Sequence, residues 1–223
     1  MARLIFMLEE PSMKGLLEGL LPRMVPGWEA GRHFLCVPHE GKSDLEKSLP
    51  RKLRAWREPN VRFVVVRDAD VAPCTATKGN LTRLCVEAGR PETLVRIVCR
   101  ELESWYLGDL DALAEAFGVR HAVSPAVRKK YRDPDRIVRP SSAVKALAPS
   151  FQKGSGARAM GAVLRPEENT SHSFRVFVSG VRRVADELGM LIEETLDGQE
   201  DHDAESQEHV DHVSGQDSGD PDA

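Results

Sequence analysis

Phe63-Val64-Val65-Val66-Arg67-Asp68-Ala69-Asp70 is the stretch whose reading decides the fold. An apolar, β-branched run ends in two carboxylates at i and i+2. Such a run predicts a buried strand that delivers acids to the end of a sheet. Two acids there repel each other unless something cationic sits between them. In an extended segment, i and i+2 side chains point the same way, so Asp68 and Asp70 would reach one hard cation. Carboxylate-and-water coordination suits Mg²⁺ or Mn²⁺. The bland alternative is a pair of loop aspartates capping the next helix, and D-x-D alone does not separate the two.

Working outward, apolar runs at 3–8, 33–37 and 93–99 predict three further strands around the one at 61–66. Between them lie helical patterns. Met13–Met24 repeats Leu at helical spacing, with Ser12 as its N-cap. Leu45, Leu49, Leu53 and Trp56 mark a second helix, interrupted near Pro50. Thr77–Ala88 and Glu101–Phe117 are the third and fourth. This alternation predicts an α/β fold with a mainly parallel sheet of about four strands and helices on its faces.

Ligand sites in such sheets lie beyond the carboxyl ends of the strands. That rule turns scattered acids into a constellation. The first strand ends at Glu9 and Glu10, the third at Asp68 and Asp70, and the fourth at Glu101 and Glu103. If the first and third strands are neighbours, ~4.8 Å apart, Glu9 would share an ion with the aspartates. Glu103 is preferred over Glu101, although spacing barely separates them, and an ordinary acidic helix start explains both equally well.

The chain has 223 residues, 41% of them hydrophobic and 30% charged, which suits one globular domain with an appendage. No apolar run approaches the ~20 residues that span a bilayer. The apolar N-terminal run is short and meets acids at Glu9, unlike a signal peptide, so a cytoplasmic protein is expected. None of the four cysteines forms a C-x-x-C pair, which argues for buried free thiols rather than zinc. The net charge of −4 hides an asymmetry. Residues 1–117 are balanced, 118–192 carry 14 basic against 6 acidic residues, and 193–223 carry 12 acids with no Lys or Arg. Three parts follow: an α/β core over 1–117, a basic and mostly helical extension over 118–192, and an acidic tail over 193–223 that should be disordered. The basic part suggests a polyanionic partner, nucleic acid first, although a solvated surface explains it as well.

Several familiar chemistries are excluded or weakened. A dinucleotide site wants G-x-G-x-x-G after the first strand, and Glu9-Glu10-Pro11-Ser12 stands there instead. Gly41-Lys42-Ser43 resembles the end of a phosphate-binding loop but lacks the earlier glycine, where Cys36 stands. Lys42 and His39 would still approach a substrate phosphate from the second strand's carboxyl side. There is no G-x-S-x-G. Arg128-Lys129-Lys130-Tyr131-Arg132 and the loop around Lys153 are the candidate phosphate-neutralising segments.

Leu8-Glu9-Glu10-Pro11-Ser12 followed by Asp68-Ala69-Asp70 resembles the Toprim (topoisomerase–primase) domain. Together with His39-Glu40-Gly41-Lys42-Ser43-Asp44, Arg100–Asp109 and Ser173–Phe177, these motifs look like an uncharacterised bacterial family of Toprim-like proteins. That family is related to the overcoming-lysogenization-defect nucleases. The resemblance spans about residues 4–190. It implies a Toprim-like three-layer fold and Mg²⁺- or Mn²⁺-dependent phosphodiester chemistry on DNA or RNA. It further implies a role in phage defence beside an ATPase partner. Glu9, Asp68 and Asp70 match the motif position by position, with Glu10 or Glu103 as added ligands. The family's glycine after the first acid is Glu10 here, and a frequent second acid is Met13. These departures leave a second reading open, a non-catalytic module that binds nucleic acid or an ATPase through a degenerate site.

Overall fold

The computed structural model describes residues 2–203. Strand β1 (Arg3–Leu8) passes through only Glu9 and Glu10 into helix α1 (Pro11–Met24). Then come β2 (Phe34–Pro38), α2 (Lys42–Ala55), β3 (Val61–Asp68), α3 (Cys74–Glu87) and β4 (Leu94–Val98). Beyond the sheet lie α4 (Glu103–Leu107), α5 (Leu110–Phe117), α6 (Pro125–Lys130), α7 (Pro140–Leu147), α8 (Lys153–Val163) and α9 (His172–Asp203). The strands are all parallel, in the order β2-β1-β3-β4. The strand order reverses at β1, so the crevice of such sheets opens between the ends of β1 and β3.

Alternation along the strands sorts side chains into two cores. Leu4, Phe6, Leu8, Val64 and Val66 face α1 and the later helices. Ile5, Met7, Phe63 and Val65 face α2 and α3 through Leu45, Leu49, Leu53, Leu81 and Cys85. The result is three layers, as an α/β sheet with two buried faces requires. The first cluster reaches Phe174, Phe177 and Leu188 of α9, so the residues after Phe117 complete one face of the sheet. Trp105 is the centre of that closure. Its ring lies 5.1 Å from Phe174 and 4.9 Å from Phe177, and its indole N–H donates to Ser173 Oγ at 3.1 Å.

Four local expectations need correction. Pro50 sits inside an unbroken α2. The ~3 kcal/mol cost of an interior proline is outweighed by burying Leu45, Leu49 and Leu53, each worth about 1.5–3 kcal/mol. The helix expected over Glu101–Phe117 is split, because Asp109 accepts from the Ala112 N–H at 3.1 Å and caps a new helix, α5. Ser12 is not the N-cap of α1; Pro11 opens the helix and the Ser12 hydroxyl donates to Glu10. The last helix runs to Asp203, so residues 193–203 of the tail expected to be disordered are helical. The remainder of the acidic tail, 204–223, lies outside the described residues.

Helices α1 and α8 cross at backbone contact. A Cβ on Gly161 would lie 2.5 Å from the Leu16 carbonyl oxygen, and one on Gly19 would lie 2.9 Å from the Gly161 carbonyl carbon. Only glycines admit this approach, and it brings Lys153, the first residue of α8, to the strand ends.

Candidate functional site

The site is built at the carboxyl edge of the sheet. Leu8 is level with Val66, and the Glu9 N–H bonds to the Val66 carbonyl, which sets Glu9 beside the end of β3. Glu9 Oε2 accepts the Asp68 N–H at 2.9 Å. Asp68 Oδ2 in turn accepts the Leu102 N–H at 3.3 Å. Glu101 Oε2 accepts the Ser141 N–H at 2.7 Å from the start of α7. Each of these acids is thus held by a backbone N–H from a later part of the chain. Charged acceptors make these bonds stronger than neutral ones.

Glu9, Asp68 and Glu103 are buried, at 9%, 7% and 2% exposure. Burial pushes the Glu9 carboxyl up against the pull of the Asp68 N–H, and the Asp70 charge adds to the rise. Burial pushes Asp68 well above the usual carboxylate range, and the charges of Glu9, Glu10 and Glu103 push the same way. Glu103 is raised chiefly by burial. Lys153 is the cation that answers this cluster. Its ammonium donates to Glu10 Oε2 at 2.5 Å. Burial works against its charge, but Glu10, Glu103 and Asp68 outweigh that and raise its pKa. Lys153, with Arg67 4.0 Å from Glu9, stands against four carboxylates, which leaves the site short of positive charge.

Asp70 lies past the end of the strand. β3 ends at Asp68, and Asp70 sits in the left-handed region at φ 53°, where the i, i+2 rule no longer applies. Its N–H bonds to the carbonyl of Arg100, itself left-handed at φ 73°. Its carboxylate pairs instead with Lys42 Nζ at 3.2 Å. Two non-glycine residues in this region cost of order 1–3 kcal/mol each, and such strain gathers at functional loops. His39 lies beneath the site rather than on it. It is 2% exposed, and its Nδ1–H donates to the Leu8 carbonyl at 2.8 Å. Burial lowers its pKa, so the ring is neutral there. Arg128 pairs with Asp111 at 2.6 Å and lines a separate cleft with Tyr131 and Arg165. Lys129 is on the same exposed helix, α6. The structure therefore gathers Glu9, Glu10, Asp68, Glu103 and Lys153, and leaves Asp70 and Lys42 at the rim.

Three participants escape a reading of the sequence. Arg67 places Nε 4.0 Å from Glu9 Oε2 while its Nη1 binds Glu46 at 2.5 Å. Tyr106 is buried with its hydroxyl unpartnered, and burial followed by the charges of Glu103, Asp68 and Glu10 holds it protonated. The Leu102 backbone has no side-chain signature at all. Arg67 alone carried a signal, standing directly before the acid pair.

The fit to a divalent cation can be judged from the donors. Among the described residues, no three His, Cys, Asp or Glu side chains form a ready set of metal ligands. What fits is narrower. Asp68 Oδ1 is buried and without a hydrogen-bond partner, which leaves a polar oxygen uncompensated. All the neighbouring donors are hard carboxylate oxygens, the chemistry that suits Mg²⁺ or Mn²⁺. A cleft of about 560 Å³ opens beside them, lined by Glu103, Ser141, Lys145, Gln152 and Lys153.

Among the described residues, no helix is long and apolar enough to cross a membrane. No curated protein matches the chain. A solved structure, the C-terminal region of the Burkholderia pseudomallei OLD protein, is similar at 17% sequence identity with a TM-score of 0.40. That similarity covers 79% of this chain and 98% of the other. The matched family is described as "Domain of unknown function (DUF4276)", and the match runs over residues 8–182, most of the chain. The chain belongs to that family.

Proposed function

We propose that this protein is a Mg²⁺- or Mn²⁺-dependent nuclease of Toprim type that cleaves phosphodiesters in DNA or RNA. The observation that carries the reading is the buried, unpartnered Asp68 Oδ1 among Glu9, Glu10 and Glu103 at the sheet's switch point. The sequence motifs at Glu9 and at Asp68–Asp70 support the same class of chemistry. Asp68 and Glu9 would hold the ion, with Glu10 and Glu103 beside them. Such an ion lowers the pKa of a water and offsets charge developing on phosphate.

The chain's own residues supply the rest. Lys153, at the cleft, neutralises phosphate and exchanges its Glu10 partner for substrate. Lys42 at the rim does the same from the other side, releasing Asp70. The basic segment around Arg128 and Lys129 extends the contact along a nucleic-acid backbone. A role in phage defence beside an ATPase partner belongs to the same reading and rests on the motif resemblance alone.

The absence of a ready three-ligand set among the described residues, with the buried apolar Met13 where a second acid is frequent, favours a second reading. There the chain binds nucleic acid or an ATPase and cuts nothing. Cleavage of single- and double-stranded DNA and RNA, with Mg²⁺ and with EDTA, tests the proposal. The parent should cut only with the ion, and Asp68→Ala should lose that activity. Cutting by the variant at the parent's rate overturns the site assignment. No cutting and no heat of binding at millimolar Mg²⁺ or Mn²⁺ favours the second reading.

A further inference from the structure

The two loops that carry the acids also carry a pair of sulfurs. Cys74 is the first residue of α3, at the end of the loop that follows Asp68 and Asp70. Cys99 follows β4 directly, ahead of Arg100, Glu101 and Glu103. Their Sγ atoms are 2.9 Å apart, across 25 positions of sequence. Both thiols are free, and both sit half-buried. By contrast Cys36 and Cys85 are buried singly in the two cores.

The sulfurs line a small open cleft of about 150 Å³ together with Lys78, Arg96, His172 and Ser173, so a small oxidant can reach them. The Cys99 N–H donates to Ser173 Oγ at 3.3 Å, and Ala69 N–H donates to the Val98 carbonyl at 2.9 Å. The backbones on both sides are therefore already tied in register, and little movement is needed to join the sulfurs.

We propose that Cys74 and Cys99 are a redox modification site that closes to an intramolecular disulfide under peroxide. Cys74 thiolate attacks the peroxide; the O–O bond breaks, hydroxide leaves, and the sulfur becomes a sulfenic acid. Cys99 sulfur then displaces that hydroxyl, its proton leaving with it as water, and the S–S bond forms. Two thiols lose two electrons to one peroxide, and two waters result. Burial and the neighbouring Cys74 hold the Cys99 thiol up at about 12, which suits Cys99 to the second, resolving step. Closure staples the loop after β3, which carries Asp70, to the segment after β4 that leads to Glu103. The proposal does not depend on what the acids bind.

The test uses the full chain, reduced, desalted, exposed to hydrogen peroxide, quenched and alkylated in denaturant. Two of the four thiols should disappear with the loss of two hydrogens in the intact mass. A tryptic digest without reductant should link the peptide Asp68–Lys78 to the peptide Ile97–Arg100. Thiol reductant should restore all four. In Cys99→Ser, Cys74 should take up oxygen or an added thiol and form no internal link. Four surviving thiols in the parent overturn the proposal, as does a link through Cys36 or Cys85 or a link only between molecules. Because the parent alone decides, a variant that fails to fold leaves the result intact.

Discussion

Replacing Asp68 by Asn separates the charge of this residue from its shape. In the parent, Asp68 is 7% exposed, one oxygen accepts the Leu102 N–H, and the other meets no partner. An uncompensated buried charge costs about 3–5 kcal/mol. The amide removes that cost but leaves an N–H₂ group unpartnered, at about 1–3 kcal/mol. The difference is about 2 kcal/mol of added stability, or roughly 4–8 °C in melting temperature for a chain of this size. Differential scanning calorimetry in EDTA reads it directly. A divalent cation reverses the order. At a hundred times its Kd the ion stabilises the parent by about 2.7 kcal/mol, and the variant gains little. The pH dependence has a fixed sign. Burial and like charge raise the folded-state pKa of Asp68 above its unfolded value, so the folded state holds the proton more tightly. The stability from this group is full below the ordinary carboxylate range and is lost as pH climbs through the raised value. In EDTA the parent should therefore melt lower as pH rises from that range, and Asp68→Asn should fall less. A variant that melts below the parent in EDTA would refute the reasoning, and so would an equal gain from Mg²⁺ in both proteins.

Two stability predictions concern how the site is held. Gly161→Ala drives a methyl into the Leu16 carbonyl and should cost about 1–3 kcal/mol in a urea melt. Gly154→Ala, on the same helix with nothing within 4 Å of the added methyl, should instead stabilise by about 0.5–1 kcal/mol. Arg165→Met strips the Asp109 carboxylate, whose side chain is 0% exposed, of its paired guanidinium. Arg165 is itself 34% exposed, so the loss should be about 2–3 kcal/mol rather than the full cost of breaking a buried pair. Adding Asp109→Asn to Arg165→Met should recover part of it; a further loss would show that the charge pair is not what holds α5.

What could be read from the sequence was what depends on local pattern. Phe63–Val66 is an apolar β-branched run, and it is the buried central strand β3. The parallel arrangement followed from alternation of strands and helices, and with it the meeting of Glu9 and Asp68 at neighbouring strand ends. What could not be read depends on distant backbone. Asp70 leaves the strand's alternation in a left-handed conformation, with its N–H bonded to the Arg100 carbonyl thirty positions later. Lys153 reaches Glu10 because Gly19 and Gly161 let two helices touch, and no periodicity announces that contact. His39 looked available for phosphate, yet the Leu8 carbonyl takes its Nδ1–H and buries the ring. Cys74 and Cys99 share no motif; only the pairing of β3 with β4 brings them together.

The hand-to-hand arrangement of the acids has a consequence for the order of synthesis. Glu9 waits for the Asp68 N–H, Asp68 for Leu102, and Glu101 for Ser141, while the Lys153 ammonium comes after all of them. A ribosome releases these residues in that same sequence. A nascent chain that stops after α4 carries Glu9, Glu10, Asp68 and Glu103, with Arg67 near Glu9, but not the Lys153 ammonium. The crowding of negative charge is relieved further when the start of α8 emerges and docks on α1. An interrupted chain thus holds every carboxylate of the site without the site itself, and the first strands and helices cannot be transplanted to another protein as a working module.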